Sequence, residues 1–265
     1  MSKITIENIH FAYQQKTVLK DITLEFQSNR FSVLLGRNGS GKSTLFNLMA
    51  GIYPTQTGQI YFDGYSLSAL KGKARAEQLG FLAQSHRSIF NFSVLDVVLT
   101  GRAAFSGYAP SKQDRQLAES ALKTLDIQHL ANRDYTTLSG GEKQLIMIAR
   151  ILTQNPKVIL LDEPTNHLDV YYQAFLMQKL HELSQQGYTI VAIMHDPNLA
   201  FLYADDFFFI KNHQIIQPKD KSLATDADFL ASIYDLPFQQ AFIGEQKIVM
   251  PRKLKFNESR QSSVR

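Results

Sequence analysis

A chain of 265 residues, 44% hydrophobic and 20% charged, is long enough to bury a sizeable core and is composed like an ordinary globular domain. The lack of cysteine excludes a disulfide framework and thiolate metal sites, and suits a reducing compartment. The formal charge of +4 is too mild to argue for a nucleic-acid partner, so none is expected, and no run of about 18 apolar residues is present to span a bilayer.

Met1 to Glu7 lack the apolar stretch of a signal peptide, so no export leader is expected. Alternation at Ile4-Thr5-Ile6, then Val18-Leu19 and Ile22 to Phe26, predicts strands in the first part of the chain. Phe31 to Leu35 is a short apolar run without alternation, which suits a strand buried on both faces. A helix is predicted from Ser43 to Ala50, stopped by Gly51, followed by strands at Gln59–Phe62 and Leu79–Ala83. Residues 85 to about 137 change character. Ser93 is a candidate N-cap with Asp96 three residues on, and Leu117, Ala118, Ala121, Leu122 and Leu125 have helical spacing. Afterwards helices and strands alternate: a helix through Leu145, Ile148, Ala149 and Leu152, strand Val158–Leu161, helix Tyr171–Gln186, strand Thr189–Met194, helix Asn198–Asp205 and strand Phe207–Ile210. That rhythm predicts an α/β fold with a mostly parallel sheet covered on both faces. The basic residues near the end, Arg252, Lys253, Lys255, Arg260 and Arg265, are expected in a frayed tail.

Gly36-Arg37-Asn38-Gly39-Ser40-Gly41-Lys42-Ser43 matches the phosphate-loop pattern G-x-x-x-x-G-K-S/T in full. Glycines let the backbone bend into a nest of N–H groups, and the helix beyond them presents its N-terminus to an anion. Lys42 would serve the β- and γ-phosphates, Ser43 would hold Mg²⁺, and Thr44 can reach the α-phosphate. Asp162-Glu163 closes a buried strand at the end that faces the ligand crevice in parallel sheets. Asp162 would bind Mg²⁺ through its water shell, and Glu163 would orient the attacking water. ATP and Mg²⁺ are the implied substrate and cofactor.

Leu138-Ser139-Gly140-Gly141-Glu142 resembles the LSGGQ signature of the ABC ATPase family, with Glu142 in the glutamine position. Physically it is a second helix N-terminus with exposed amides and hence a second anion site. The resemblance implies two chains head to tail, the signature residues Ser139, Gly140, Gly141 and Glu142 closing on the partner's ATP. It further implies that Gln84 is the Q-loop glutamine, touching Mg²⁺ and the water. His195 is similar to the switch histidine at the γ-phosphate, and Asn166-His167-Leu168-Asp169 to the D-loop, with Asp169 reaching across the dimer. Tyr13 stands where the family sets an aromatic ring against adenine, although a tyrosine after Phe11 is equally compatible with a core position. The implied fold is a RecA-like P-loop NTPase core with an antiparallel β subdomain and an inserted α-helical subdomain at about 85–137. One such domain would occupy residues 1–240, with 241–265 as an extension.

Val94-Leu95-Asp96-Val97-Val98-Leu99-Thr100-Gly101-Arg102 and Phe229 to Pro237 are similar to stretches in ATPases of bacterial iron-chelate and vitamin B12 importers, and are also compatible with plain core packing. That resemblance implies a homodimer on the cytoplasmic face of the inner membrane, paired with an integral-membrane permease dimer and fed indirectly by a substrate-binding protein. The cargo would be a ferric siderophore, with haem, cobalamin or molybdate as rivals. A soluble ABC ATPase acting on ribosomes or DNA is the alternative of another class.

Overall fold

The computed structural model describes residues 3–84, 92–107 and 109–253. These divide into two compact units at the Gln217–Pro218 junction, ahead of the boundary at 240 expected from the sequence.

The first unit begins with strands β1 (Ile4–Tyr13) and β2 (Lys16–Phe26), then β3 (Phe31–Leu35), helix α1 (Lys42–Met49), β4 (Thr57–Phe62) and β5 (Tyr65–Ser66). Next come α2 (Gly72–Gln78), β6 (Leu79–Leu82), α3 (Val94–Leu99), α4 (Lys112–Thr124), α5 (Gly140–Gln154), β7 (Val158–Asp162), α6 (Val170–Gln185), β8 (Thr189–Ile193), α7 (Pro197–Tyr203), β9 (Asp206–Lys211) and β10 (Gln214–Ile216). The segments Val18-Leu19 and Ile22–Phe26 belong to the single strand β2, and α2, β5 and β10 were not expected from the sequence. Helix α2 buries none of its residues, so it has no apolar stripe to betray it.

Two sheets form this unit. One is antiparallel, in the order β2-β1-β4-β5; the other runs β10-β9-β3-β8-β7-β6, with only β10 antiparallel. Every residue of β3, β7 and β8 is buried, which is why their sequences read as unbroken apolar runs. Phe26 of the first sheet and Phe208 of the second meet with ring centroids 4.6 Å apart. They share a core with Ile4, Ile6, Leu34, Phe46, Ile60 and Val191, where each large side chain contributes about 2 kcal/mol by leaving water.

Register aligns the strand ends. Leu34 lies beside Ile193, Ile193 beside Asp162, and Leu161 beside Leu82. The C-terminal ends of β3, β8, β7 and β6 therefore form one row, although the chain visits them in a different order.

The helical insertion is seen from residue 92; residues 85–91 of the expected 85–137 segment lie outside the described residues. Ser93 caps α3, its Oγ accepting from the Asp96 N–H at 3.2 Å, as its position predicted. Ser111 and Asp114 form a capping box on α4. Val94, Leu95, Val98 and Leu99 are buried, so the apolar part of the importer-like stretch is core. Beyond it a Cβ on Gly101 would collide with the Arg150 carbonyl, and Arg102 donates to the largely buried Asp114 at 2.7 Å.

The second unit contains α8 (Lys221–Ala224), α9 (Ala227–Tyr234), β11 (Phe238–Ile243) and β12 (Gln246–Pro251). Asp226 caps α9 by accepting from the Asp228 and Phe229 N–H groups, and Asp235 ends it in a left-handed conformation with φ 56°. Strands β11 and β12 pair antiparallel across a turn at Gly244-Glu245. A paired hairpin thus precedes the stretch expected to fray: Arg252 and Lys253 are exposed just after it, while Lys255, Arg260 and Arg265 lie outside the described residues.

Candidate nucleotide site

The phosphate loop leaves the buried end of β3. Gly36, Gly39 and Gly41 all have positive φ (141°, 75° and 109°), conformations that glycine adopts without a Cβ clash. At Gly36 a Cβ would also stand 2.7 Å from the Ile210 carbonyl oxygen. Helix α1 starts at Lys42 with Gly41 as its N-cap, so no side chain accepts from its first amides. Arg37, Asn38 and Gly39 are exposed on the loop, and the Ser40 hydroxyl is buried without a hydrogen-bond partner. Lys42 is 5% exposed and donates from Nζ to the carbonyls of Gly36 and Arg37 at 2.8 and 2.9 Å. Burial pushes its pKa down, opposed by the charges of Glu163 and Asp162.

Asp162 ends β7 and is buried. Its pKa is raised by burial and then by the neighbouring Glu163 charge, against the Ser43 hydrogen bond and the charges of Lys42 and His195. Ser43 Oγ donates to Asp162 Oδ1 at 3.3 Å. Glu163 comes next in a left-handed conformation, φ 55°, which turns the chain sharply after the strand. Three side chains converge on its carboxylate. His195 Nε2 lies 2.5 Å from Oε1, Gln84 Nε2 donates to Oε2 at 2.6 Å, and Asn166 Nδ2 also donates to Oε2. Gln84 comes from the end of β6 and His195 from the end of β8. The row of strand ends has brought together the loop, the acidic pair, the glutamine and the histidine that the sequence scatters from Gly36 to His195.

Tyr13, Lys42, Ser43, Gln84, Glu163 and His195 line one open cleft of about 710 Å³, whereas Asp162, the partner of Ser43, is not among its lining residues. Thr44 lines it too, and the Tyr13 hydroxyl lies 3.4 Å from Thr44 Oγ1. Tyr13 is 46% exposed and meets Phe11 edge-on at 5.1 Å, so of the two positions open to it the structure favours the rim of the cleft. Sequence reasoning missed Lys16, Val18 and His167 as lining residues, and Asn166 as a partner of Glu163. Lys16 stands directly opposite Tyr13 across a two-residue turn, but Gln14-Gln15 carry no glycine, asparagine or aspartate to signal such a turn in the sequence.

Signature residues Ser139 to Glu142 are not among those that line this cleft. They open α5, but its N-terminus is not left bare as expected. Ser139 Oγ accepts from the Glu142 N–H at 3.2 Å, and Glu142 Oε2 accepts from the Ser139 N–H at 2.8 Å, a complete capping box. Two of the amides counted as exposed are thus already occupied, and Arg133 stands 3.7 Å from Glu142. Gly140 is exposed and Gly141 buried. Asp169 is the N-cap of α6, accepting from the Tyr172 N–H at 2.9 Å. No group of three or more His, Cys, Asp or Glu side chains able to hold a metal is found among the described residues.

Residues 19–166 match the family model described as ABC transporter. The chain is 37% identical over 214 residues to the hemin import ATP-binding protein HmuV of Pseudomonas aeruginosa, covering 79% of this chain and 83% of that one. It is 32% identical over 242 residues to the ferric enterobactin transport ATP-binding protein FepC of Escherichia coli, covering 89% and 88%. Among solved structures, an inward-facing conformation of a putative metal-chelate type ABC transporter superposes with a TM-score of 0.83 at 32% identity, over 96% of this chain and 98% of that one.

Proposed function

Because this chain belongs to the ABC transporter family, as one of its ATP-binding ATPase subunits, we propose that it powers an importer for an iron chelate, a ferric siderophore, through a partner permease. The observation that carries the ATPase chemistry is the row of parallel strand ends that brings Glu163, Gln84 and His195 to one cleft with Lys42 and Ser43, while Asp162 accepts from Ser43 just behind it. Lys42 and the uncapped first turn of α1 bind the polyphosphate, and Tyr13 takes the base. Glu163 orients and deprotonates the attacking water, a task that demands an acceptor within hydrogen-bond reach. His195, already on the Glu163 carboxylate, would contact the γ-phosphate. Gln84 joins Glu163 to the helical insertion beyond it.

The oxygen donors fit Mg²⁺. Ser43 and the buried carboxylate of Asp162 stand side by side at 3.3 Å, and the Gln84 amide lines the same cleft as Ser43, an oxygen set of the kind that Mg²⁺ prefers. When bound, the ion neutralises charge on the phosphates of ATP.

The signature turn lies outside the chain's own cleft, which supports a head-to-tail homodimer in which each turn and each Asp169 serve the other copy. No helix among the described residues is long and apolar enough to cross a membrane, in keeping with a peripheral subunit that works from the cytoplasmic face of the inner membrane. Relatives named for ferric enterobactin and for hemin support iron-chelate cargo, with haem as the second reading. The test is co-purification from native membranes and then reconstitution. Recovery of a multi-span permease, and ATP-dependent uptake of a ferric siderophore by the complex, is the expected result. Uptake of haem alone would transfer the assignment to the second reading, and recovery with ribosomes or DNA-repair proteins would overturn the importer.

A further inference from the structure

The two features assigned to the partner's side, the signature turn and the loop ending at Asp169, are joined to each other through one residue, whose backbone holds the one and whose ring covers the other. Tyr172 stands in the first turn of α6. Its N–H donates to Asp169 Oδ1 at 2.9 Å, which fixes the carboxylate. Its ring covers Gly141 of the signature turn: a Cβ there would overlap ring atoms Cγ and Cδ2 and stand 2.8 Å from Cδ1. Gly141 is buried, so this close approach is a packed contact. A second tie runs parallel to it, because Gln144 Nε2, one turn further along α5, donates to the Pro164 carbonyl at 2.7 Å. Helix α5 is thereby held at two points to the segment that carries Glu163 at one end and Asp169 at the other.

We propose that Tyr172 is a positioning residue that fixes the signature turn relative to Asp169, so that both engage a second copy of the chain together. The inference rests on the dimer reading above. Two contacts presented at a fixed separation dock without the cost of ordering one against the other, whereas two loosely connected ones bear that cost at each association. The flat ring is what the contact requires, since it lies on a surface with no side chain. The phenolic oxygen has no part in it.

The experiment uses the full chain in a Glu163→Gln background, where MgATP should accumulate the dimer, read by analytical ultracentrifugation. Tyr172→Phe should dimerise at the same protein concentration as the parent, within about twofold, and Tyr172→Ala should need at least about tenfold more protein. Fluorescent-ATP affinity, measured below the dimerising concentration, should stay within about twofold in every variant, because Tyr172 is not among the residues lining the chain's own cleft. If Tyr172→Ala melts below the assay temperature, Tyr172→Leu carries the test, since it keeps bulk but cannot lie flat on Gly141. Dimerisation of the Ala or Leu variant at the parent's concentration overturns the proposal. So does a Phe variant as weak as Ala, or a loss of ATP affinity in step with the loss of dimer. If the Glu163→Gln parent stays monomeric with MgATP, the dimer reading itself falls and the positioning role with it. If the parent dimerises and the Tyr172 variants do so equally, the positioning role alone falls.

Discussion

Helices α1 and α5 both begin at a serine- and glycine-containing turn, and both were expected to offer free amides to a phosphate. They differ in who satisfies those amides. Helix α1 has glycine at its N-cap and no side-chain acceptor, and its loop curls around the Lys42 ammonium. Helix α5 is closed by its own Ser139 and Glu142 and held by Tyr172 and Gln144. The same kind of sequence thus leaves the first amides without a side-chain acceptor in one place and closes them with its own side chains in the other. What separates them is the local supply of acceptors, which a count of glycines does not reveal.

The sharpest way to break this contrast is at the α1 end and the acidic pair beside it. Glu163→Gln should reduce turnover by about 10²- to 10³-fold, since it removes the proton acceptor, while fluorescent-ATP binding persists; retained turnover would remove Glu163 from the chemistry. Lys42→Ala should weaken ATP binding by at least about tenfold, the scale of one charge-assisted contact, as read by titration calorimetry. At the α5 end effects should be smaller and register as stability. Ser139→Ala should cost about 1 kcal/mol in urea unfolding through the lost cap, with the chain's own ATP affinity unchanged. A shift in that affinity would mean that α5 serves its own cleft after all.

The smallest effect separates the two ends by pH. Glu142 has its pKa lowered, first by the hydrogen bond from the Ser139 N–H. A carboxylate whose folded pKa lies below its unfolded value stabilises the fold fully above the unfolded value, about 4.3, and loses that contribution as pH falls through the folded one. Glu142→Gln keeps an acceptor and loses the titration. The stability gap between the native chain and Glu142→Gln, measured by urea unfolding from pH 7 downward, should therefore narrow below about pH 4; a gap that holds constant would show that the Glu142 charge contributes nothing to the box.

Much of the site was legible because its pieces carry their own patterns. The phosphate loop has fixed spacing, and the buried strands read as apolar runs because both faces are covered. Gln84 and His195 have no local pattern. Each is a single polar residue past a strand, and they were found through family resemblance; what unites them is the lateral order β3-β8-β7-β6, set by long-range pairing that the sequence does not spell out. The capping box at Ser139 and Glu142 was readable as S-x-x-E and was passed over in favour of free amides. Arg102 likewise belonged to a stretch similar to importer ATPases, and only the structure reveals its partner Asp114, twelve positions on in the next helix. The hairpin β11–β12 escaped because most of its residues are exposed, leaving little alternation to detect.

The left-handed backbone at Glu163 has a consequence for how this protein tolerates change. A long side chain at φ 55° costs on the order of 1 kcal/mol that glycine would not. Glycine would relieve that strain but would also leave His195, Gln84 and Asn166 without their shared acceptor, so the two effects oppose each other. Laboratory evolution toward hardier variants would therefore meet at position 163 a trade between a relaxed backbone and an anchored cluster of polar side chains.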